Sequence, residues 1–303
     1  MSMTSIGVAS AEVRSADLWS VARDYLELAK PKIALLELVT VAAAYYLAGH
    51  GAPQVPVLLH ALLGTSFVAA SASAFNQWLE RTSDALMPRT ADRPLPAGRL
   101  GARDVAWFGS ITAVAGVCYL AIAVNQLTAC LGLLSWFLYV VVYTPLKRRS
   151  STNTAVGAVA GALPVLMGWT ATGRLLDVNA ATLFMVVFLW QFPHFMAIAW
   201  LYRRDYALAG MKMLTVVDPS GQRAGRQAVL AASALVPVTL VPVLVNFATP
   251  VYGVAAITIG VAQLICAARF FRNLDETSAR RLLRASLLYL PAILGLLTLV
   301  PLI

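Results

Sequence analysis

Three polar side chains spaced four residues apart, Asn76, Glu80 and Asp84, lie where a long apolar segment, 55–79, passes into a polar loop. A spacing of four places them on one face of a helix, about 6 Å apart along its axis. Polar groups in or beside a membrane are energetically costly, which makes them candidates for function. Their oxygens suit Mg²⁺, which proteins commonly hold together with a substrate phosphate. These three side chains, here called the polar column, therefore predict a metal site for a phosphorylated substrate.

Two arginines, Arg89 and Arg93, follow the polar column in the loop. The planar guanidinium group binds phosphate oxygens in pairs, so both arginines are candidates for the phosphate itself. A simpler interpretation treats them as topogenic charges that contact lipid headgroups, with Asp92 paired to one of them. In that interpretation the two carboxylates of the column pair with Arg81 or Arg103 in water.

A second group of polar and aromatic residues ends another apolar segment: Trp190-Gln191-Phe192-Pro193-His194-Phe195, followed by Tyr202 and then Asp205-Tyr206 and Lys212. Pro193 should kink a helix by freeing a backbone carbonyl. Gln191 and His194 are then polar groups at membrane depth, although a lone histidine often serves only to bond a neighbouring helix. Asp205 would supply the opposite wall of a metal–diphosphate site, and Lys212 further positive charge.

Two smaller features have two interpretations each. The run Tyr143-Thr144-Pro145-Leu146-Lys147-Arg148, with Asn153 beyond it, is either part of the site or an ordinary basic anchor with an interfacial tyrosine. Glu37 lies inside the first apolar segment, near Lys32. It either lines a pocket or extends to the membrane interface.

The elements that must position these residues are membrane spans. The chain has 303 residues, of which 59% are hydrophobic and only 12% charged, with a mean hydropathy of +0.74. A soluble domain has about a quarter charged residues, so the composition predicts an all-α polytopic membrane protein. Nine apolar runs are long enough to cross a bilayer: 33–49, 55–79, 104–124, 126–144, 153–172, 178–201, 227–247, 250–271 and 283–302. In the fifth run, Gly157, Gly161 and Gly168 permit close helix contact.

The basic residues predict the orientation of these spans. With this assignment, all but one of the 23 Lys and Arg residues fall on one side of the membrane, and the exception is Arg174. Basic residues accumulate on the cytoplasmic side, so the N-terminus is expected inside and the C-terminus outside. This distribution also explains the net charge of +9 without nucleic acid as a partner.

The remaining composition excludes other classes of protein. Cys118, Cys130 and Cys266 lie in apolar segments without paired spacing, which predicts neither a disulfide framework nor a zinc site. The first 30 residues contain no apolar signal segment and do not resemble an Arg-rich, acid-poor transit peptide. We therefore expect a bacterial inner membrane rather than a mitochondrial one, with the site on its cytoplasmic face.

With these motifs in place, the chain resembles the UbiA-type intramembrane prenyltransferases, and within them the family that farnesylates protoheme IX. The resemblance runs from about Leu28 to the C-terminus. It rests on the polar column and on four further motifs: Arg89-Thr90-x2-Arg93-Pro94, Tyr143-Thr144-x-Leu146-Lys147-Arg148, Trp190-Gln191-x-Pro193-His194-Phe195 and Asp205-Tyr206-x2-Ala209-Gly210-x2-Met213-Leu214. It implies a polar tail, 1–27, and one domain, 28–303, with nine helices around a cavity that opens to the inner face and to lipid.

The resemblance implies transfer of a farnesyl group from farnesyl diphosphate to a vinyl group of heme B, with addition of water, giving heme O and diphosphate. It implies Mg²⁺ as cofactor and a heme A synthase as a downstream partner. The expected catalytic residues are Asn76, Glu80, Asp84, Arg89, Arg93 and Asp205, with the first three as metal ligands. The expected substrate-binding residues are Lys147, Arg148, Gln191, His194, Tyr202 and Lys212, with His194 facing heme. Four aromatic residues are candidates for shielding the allylic cation: Phe75, Trp78, Phe192 and Phe195.

Two departures from the family pattern concern the metal. The middle position of the polar column is usually Asp and is Glu80 here, and one extra methylene still allows contact with a cation. The second aspartate-rich motif of the wider superfamily is reduced to Asp205. The number of metal ions and their geometry therefore stay open.

Two other functions remain open from the residues. Buried Asn, Glu, Asp and His beside a proline-broken helix are also typical of a transporter, although the polar groups here gather at one face rather than at the midplane. A related prenyltransferase could instead act on a quinone precursor. The Trp190-to-His194 motif favours heme.

Overall fold

The computed structural model describes residues 18–299, and every regular element in that range is helical. The helices are α1 (Leu18–Leu28), α2 (Pro31–Ala48), α3 (Val55–Asp84), α4 (Ala102–Ala123), α5 (Gln126–Leu146), α6 (Asn153–Ala171), α7 (Val178–Leu201), α8 (Arg203–Leu208), α9 (Leu214–Val217), α10 (Gln222–Leu244), α11 (Pro250–Asn273) and α12 (Glu276–Leu299). Helix α5 contains a π-helical segment, Leu138–Tyr143.

Nine of these helices are long and apolar enough to cross a membrane, namely α2 to α7 and α10 to α12 in the described range. This confirms the predicted spans. The main difference is that α3 continues from the predicted end at 79 to Asp84, so the whole polar column lies on one continuous helix. Helix α7 also runs through Pro193 as a single helix. The predicted tail up to residue 17, with Arg14, and the last four residues, 300–303, lie outside the described residues.

Helix α6 is the central helix of the bundle. In its span 72% of the residues are buried, the largest fraction among the nine helices. It packs against α2, α5 and α7, while α10, α11 and α12 pack in sequence on the far side of α7. Contacts between α2 and α12 join the first span to the last.

Close contact around α6 depends on its glycines. A methyl group at Gly168 would overlap the backbone carbonyl of Val41 on α2, and one at Gly161 would overlap the side-chain amide of Gln191 on α7. Gly157 faces the ring of Tyr143 on α5. The glycine spacing thus allows close contact with three different helices, as predicted.

The basic residues occupy one end of the bundle. The spans alternate in direction, so the loop after α3, the loop after α5 and the segment between α7 and α10 all meet at the end where α2 begins. Among the described residues, Arg174 lies at the opposite end, where it donates to the carbonyl oxygen of Ala48 at 3.1 Å and so caps α2. A cation at a helix C-terminus is favourable because the carbonyl groups there carry partial negative charge.

Helix α1 covers part of the charged end. It forms the described part of the predicted polar tail. Arg99, from the loop after α3, donates to Asp24 at 2.8 Å, to Glu27 at 2.7 Å and to the carbonyl oxygen of Asp92 at 2.6 Å. Gln77 on α3 also donates to the carbonyl oxygen of Leu28 at 2.8 Å. These bonds fix the point at which the chain enters α2.

Candidate active site

The polar column faces the interior at the charged end of the bundle, and each of its members has a cationic partner. Asn76 is buried, and its Oδ1 accepts a hydrogen bond from Lys30 Nζ at 2.7 Å. Its Nδ2 donates to Thr144 Oγ1 at 3.2 Å. The Asn76 amide is therefore held in one orientation, with its oxygen directed to a positive charge.

Both carboxylates of the column form ion pairs. Glu80 contacts Lys147, whose Nζ lies 2.9 Å from Oε1 and 3.2 Å from Oε2. Asp84 Oδ2 accepts from Arg93 Nη1 at 2.7 Å, and the Asp84 side chain is only 1% exposed. These pairs contradict the interpretation in which the carboxylates bond Arg81 in water, because Arg81 stacks on Trp78 and donates to its backbone.

The three cations Lys30, Arg93 and Lys147 come from three separate loops and share a small volume. Burial, together with the neighbouring charges of Arg93 and Lys147, lowers the pKa of Lys30 to about 7. Burial also opposes the charge on Lys147, but the Glu80 carboxylate, together with Tyr143 and Tyr139, outweighs it and raises the pKa of Lys147 above its ordinary value. Three cations beside two carboxylates leave an excess of positive charge, which suits a polyanionic ligand.

The oxygen atoms of the column fit a hard divalent cation. Asp84 Oδ1 is buried and accepts no hydrogen bond, and Glu80 Oε1 has only the ion-pair contact with Lys147, without an aligned donor. Buried carboxylate oxygens seldom stay unpartnered. Within residues 18–299 no three His, Cys, Asp or Glu side chains converge on one point. The column would thus share a cation with water or phosphate, which is how Mg²⁺ is commonly held.

Two tyrosines of the π-helical segment extend inward from the cations. The Tyr143 ring lies 4.6 Å from Lys147 Nζ and 5.2 Å from the ring of Tyr139. A π-helical turn changes the register of side chains along a helix and is frequent at functional sites. Here it places both rings toward the polar column, and Tyr139 lies within electrostatic range of Glu80.

Among the described residues, the contacts of the four aromatic residues predicted to shield an allylic cation are with other groups than the polar column, and their shielding role stays a prediction. Phe75 packs edge-on against Trp136 and fills the space beside Gly109 of α4, and Trp78 lies in an apolar cluster with Leu28. Phe192 packs against the neighbouring helices. Phe195 packs in a second cluster, although its ring is 5.7 Å from that of His194. The aromatic groups beside the column are Tyr139 and Tyr143.

Arg89 joins the loop after α3 to the segment that follows α7. Its guanidinium lies 4.6 Å from the ring centre of Tyr202 and 5.6 Å from that of Tyr206, and donates to the Tyr206 hydroxyl at 3.4 Å. These two tyrosines flank Asp205, which is half-buried and, among the described residues, forms no hydrogen bond or ion pair through its side chain. Arg89 therefore brings Asp205 to the rim of the site, and its metal contact stays a prediction.

Lys212 and Arg148 also lie at this rim. The Lys212 backbone N–H donates to the carbonyl oxygen of Lys147 at 2.6 Å, and its side chain is exposed. Arg148 donates to Thr82 at 2.9 Å and also bonds Ser83 of α3. Both residues fix the loop that carries Lys147, and their predicted substrate contacts stay predictions.

His194 and Gln191 have different surroundings on α7. Ser286 of α12 donates its hydroxyl to the carbonyl oxygen of Leu283, so it accepts from His194 Nδ1 at 3.0 Å. The Nε2 atom of His194 is then the one with a free lone pair. Gln191 donates to the carbonyl oxygen of Ala158 on α6 at 2.9 Å. Its amide thus joins two helices, and its substrate contact stays a prediction.

Lys30 is the site residue that sequence reasoning missed. In the sequence it is one of the basic residues on the inner side, 46 residues away from Asn76. Its backbone φ of 51° lies in the left-handed region. That conformation costs a non-glycine residue about 1–3 kcal/mol and is found where the surrounding structure enforces it. In the sequence, Lys30 could have been recognised only by its position, because it precedes a proline at the start of a helix and lies at the membrane boundary.

Comparison with known proteins places most of the chain in one family. A model of the UbiA prenyltransferase family matches residues 38–290. The protoheme IX farnesyltransferase of Solibacter usitatus is 42% identical over 289 residues, which covers 91% of this chain and 98% of that protein. The one of Myxococcus xanthus is 42% identical and covers 94% and 97%. The mitochondrial protoheme IX farnesyltransferase of Arabidopsis thaliana is 37% identical and covers 90% and 64%.

Solved structures share the fold. The structure of a digeranylgeranylglyceryl phosphate synthase matches with a TM-score of 0.79 at 14% identity, covering 93% of this chain and 98% of that one. A UbiA homolog from Archaeoglobus fulgidus, bound to DMAPP and Mg²⁺, matches with a TM-score of 0.68 at 17% identity, covering 91% and 100%. With nine apolar helices within residues 18–299 and these membrane-protein neighbours, the chain is an integral membrane protein.

Proposed function

We propose that this chain, which belongs to the UbiA prenyltransferase family, transfers a farnesyl group from farnesyl diphosphate to a vinyl group of protoheme IX, adding water to give heme O and diphosphate. Relatives about 40% identical over nearly the full chain support heme as the acceptor. The observation that carries the chemistry is the buried polar column with a cation beside each of its members.

The charged end acts on the diphosphate. Lys30, Arg93 and Lys147 would bind its oxygens, and Arg89 would close over it from the rim. Removing the diphosphate leaving group from an allylic carbon builds negative charge on the departing oxygen, so preorganised positive charge lowers the barrier. Asn76, Glu80 and Asp84 would hold a Mg²⁺ ion, which would supply further neutralisation of that charge.

The apolar interior acts on the farnesyl group and on heme. Tyr139 and Tyr143 present ring faces beside the cations, where they would stabilise a developing allylic cation and keep water from it. The double bond of the vinyl group is itself the nucleophile, so no Ser, Cys or Lys nucleophile is needed. His194 would contact heme through Nε2, because Nδ1 is engaged by Ser286.

The distribution of basic residues indicates which side of the membrane the charged end faces. Basic residues gather at the end that holds the polar column, so this end would face the cytoplasm of a bacterial inner membrane, with the N-terminus inside. Heme O formed there would pass to an enzyme that consumes it, a heme A synthase.

The decisive experiment compares acceptors. Purified protein is incubated with farnesyl diphosphate, Mg²⁺ and either heme B or a quinone precursor, and diphosphate release is measured. Release with heme alone is expected. Release with the quinone precursor would indicate a related prenyltransferase, and no release with either acceptor would contradict prenyl transfer and favour transport.

Lys30→Met should raise the KM for farnesyl diphosphate by about tenfold or more, because a hydrogen bond to a charged group is worth about 1.5–3 kcal/mol. The substitution keeps an unbranched side chain that is one atom shorter and removes its charge. Lys32→Met is the matched control, since Lys32 is exposed two residues away. Equal KM values for the two variants would contradict a role for Lys30 in diphosphate binding.

His194→Ala should weaken heme binding by about tenfold or more, the usual effect of losing a contact in a metal site. The change is followed by titrating the purified protein with heme and recording the Soret band. His60→Ala, a control at an exposed histidine that contacts Tyr119, should bind heme normally. Full heme affinity and turnover in His194→Ala would remove the proposed role.

A further inference from the structure

Glu37 is an acidic side chain inside a membrane span that the mechanism above does not use. It is the seventh residue of α2 and is half-buried. Among residues 18–299 its carboxylate makes no hydrogen bond or ion pair, whereas Glu80 and Asp84 each have a cation. A carboxylate without a counter-ion is costly at this depth, and such groups usually have a function.

The Glu37 side chain points into the bundle. It lies four residues before Val41, so the two share one face of α2, and it lies seven residues after Lys30, which precedes the helix. Lys30 contacts the polar column, and Val41 is fully buried against Gly168. Lys32 lies about 140° around the helix and is exposed, so Glu37 does not extend to the interface beside it.

Glu37 is connected to the charged end through the tyrosines. Its carboxylate lies within electrostatic range of Tyr139, whose ring contacts Tyr143, and Tyr143 in turn contacts Lys147. Along α2 it lies about 10 Å farther into the bundle than Lys30. A diphosphate held by the cations would thus extend its farnesyl group past the tyrosines toward Glu37.

Resting on the proposed function, we infer that Glu37 is the general base that accepts a proton from the water added to the vinyl group. The carbon–oxygen bond of farnesyl diphosphate breaks, and its electron pair leaves with the diphosphate. The vinyl π electrons form the new carbon–carbon bond and leave a cation on the carbon attached to the porphyrin. Water adds a lone pair to that carbon, and its proton passes to the Glu37 carboxylate, leaving the hydroxyl group of heme O.

The placement of the other basic groups favours Glu37 for this step. Glu80 and Asp84 are held by Lys147 and Arg93 at the diphosphate end, and a base there would lie beside the leaving group. His194 Nε2 is assigned to heme. Glu37 is the remaining carboxylate inside a span that is both free of a cation and on the interior face.

The test is Glu37→Gln, which keeps the shape of the side chain and removes its basicity. A general base contributes about 10²–10⁴-fold, so heme O formation should fall at least about a hundredfold. The trapped cation should lose a proton from the neighbouring carbon to the departing diphosphate instead. Mass spectrometry should therefore detect a farnesylated heme lighter by one water, and Glu37→Asp should restore part of the hydrated product.

Controls separate this inference from a structural effect and from the proposed function. Glu276→Gln makes the same change at an exposed helix end and should leave the product unchanged. Heme O formed by Glu37→Gln at the wild-type rate would overturn the inference, and so would loss of heme or farnesyl diphosphate binding in that variant. Failure of the wild-type protein to farnesylate heme would instead refute the proposed function, and the inference with it.

Discussion

Asp84→Asn should lower farnesyl transfer by at least about a hundredfold, because removing one preorganised group that stabilises transition-state charge typically costs 10²–10³-fold. Asp84 is almost completely buried and forms the ion pair with Arg93. The substitution keeps its shape, so Arg93 remains in place but loses its anionic partner. The metal site loses one of its two negative charges at the same time.

Measurements at several Mg²⁺ concentrations test this directly. The Mg²⁺ concentration for half-maximal activity should rise in Asp84→Asn, and it should also rise in Glu80→Gln. Asp92→Asn, an exposed change in the same loop, is the matched control and should resemble the wild-type protein. Unchanged turnover in both Asp84→Asn and Glu80→Gln would refute the metal assignment.

Gly168→Ala should destabilise the bundle by about 3 kcal/mol, the upper part of the range for overpacking. Its new methyl group would overlap the backbone of Val41. A backbone carbonyl cannot rotate away as a flexible side chain does, so α2 and α6 must separate. Because α2 carries Lys30 at its start, the site would be distorted as well.

Thermal unfolding of purified protein in detergent measures this effect. Gly295→Ala is the matched control, because a methyl group at Gly295 of α12 would meet no atom within 4 Å. Gly168→Ala should show a clearly lower Tm and less monodisperse protein than Gly295→Ala. Equal Tm values would show that α2 and α6 do not pack as closely as described.

The spans and the polar column were predictable because both depend on local sequence. A membrane helix needs about 20 apolar residues. A spacing of four places Asn76, Glu80 and Asp84 on one face of a helix independently of the tertiary fold. The same geometry explains why Trp78 does not share the face of the polar column. Trp78 is two residues from Asn76 and therefore lies about 200° around α3, against α1 and α4.

The partners of the column were not predictable from local pattern. Lys147 is 67 residues from Glu80, and Lys30 is 46 residues from Asn76. Lys147 is predicted from its motif to bind substrate, with a basic membrane anchor as the alternative, whereas Lys30 is explained in the sequence by its place at the membrane boundary alone. Only the packing of α2, α3 and α5 against one another shows that these charges share one site.

The order of these charges along the chain has a consequence for biogenesis. A ribosome delivers Lys30 and the polar column well before it synthesises Lys147, so Glu80 enters the membrane region before its counter-ion exists. Glu80 lies in the last turns of α3, near the membrane surface. There its carboxylate can stay hydrated until α5 and Lys147 have been inserted. The same side chain in the middle of α3 would have to be inserted into lipid alone.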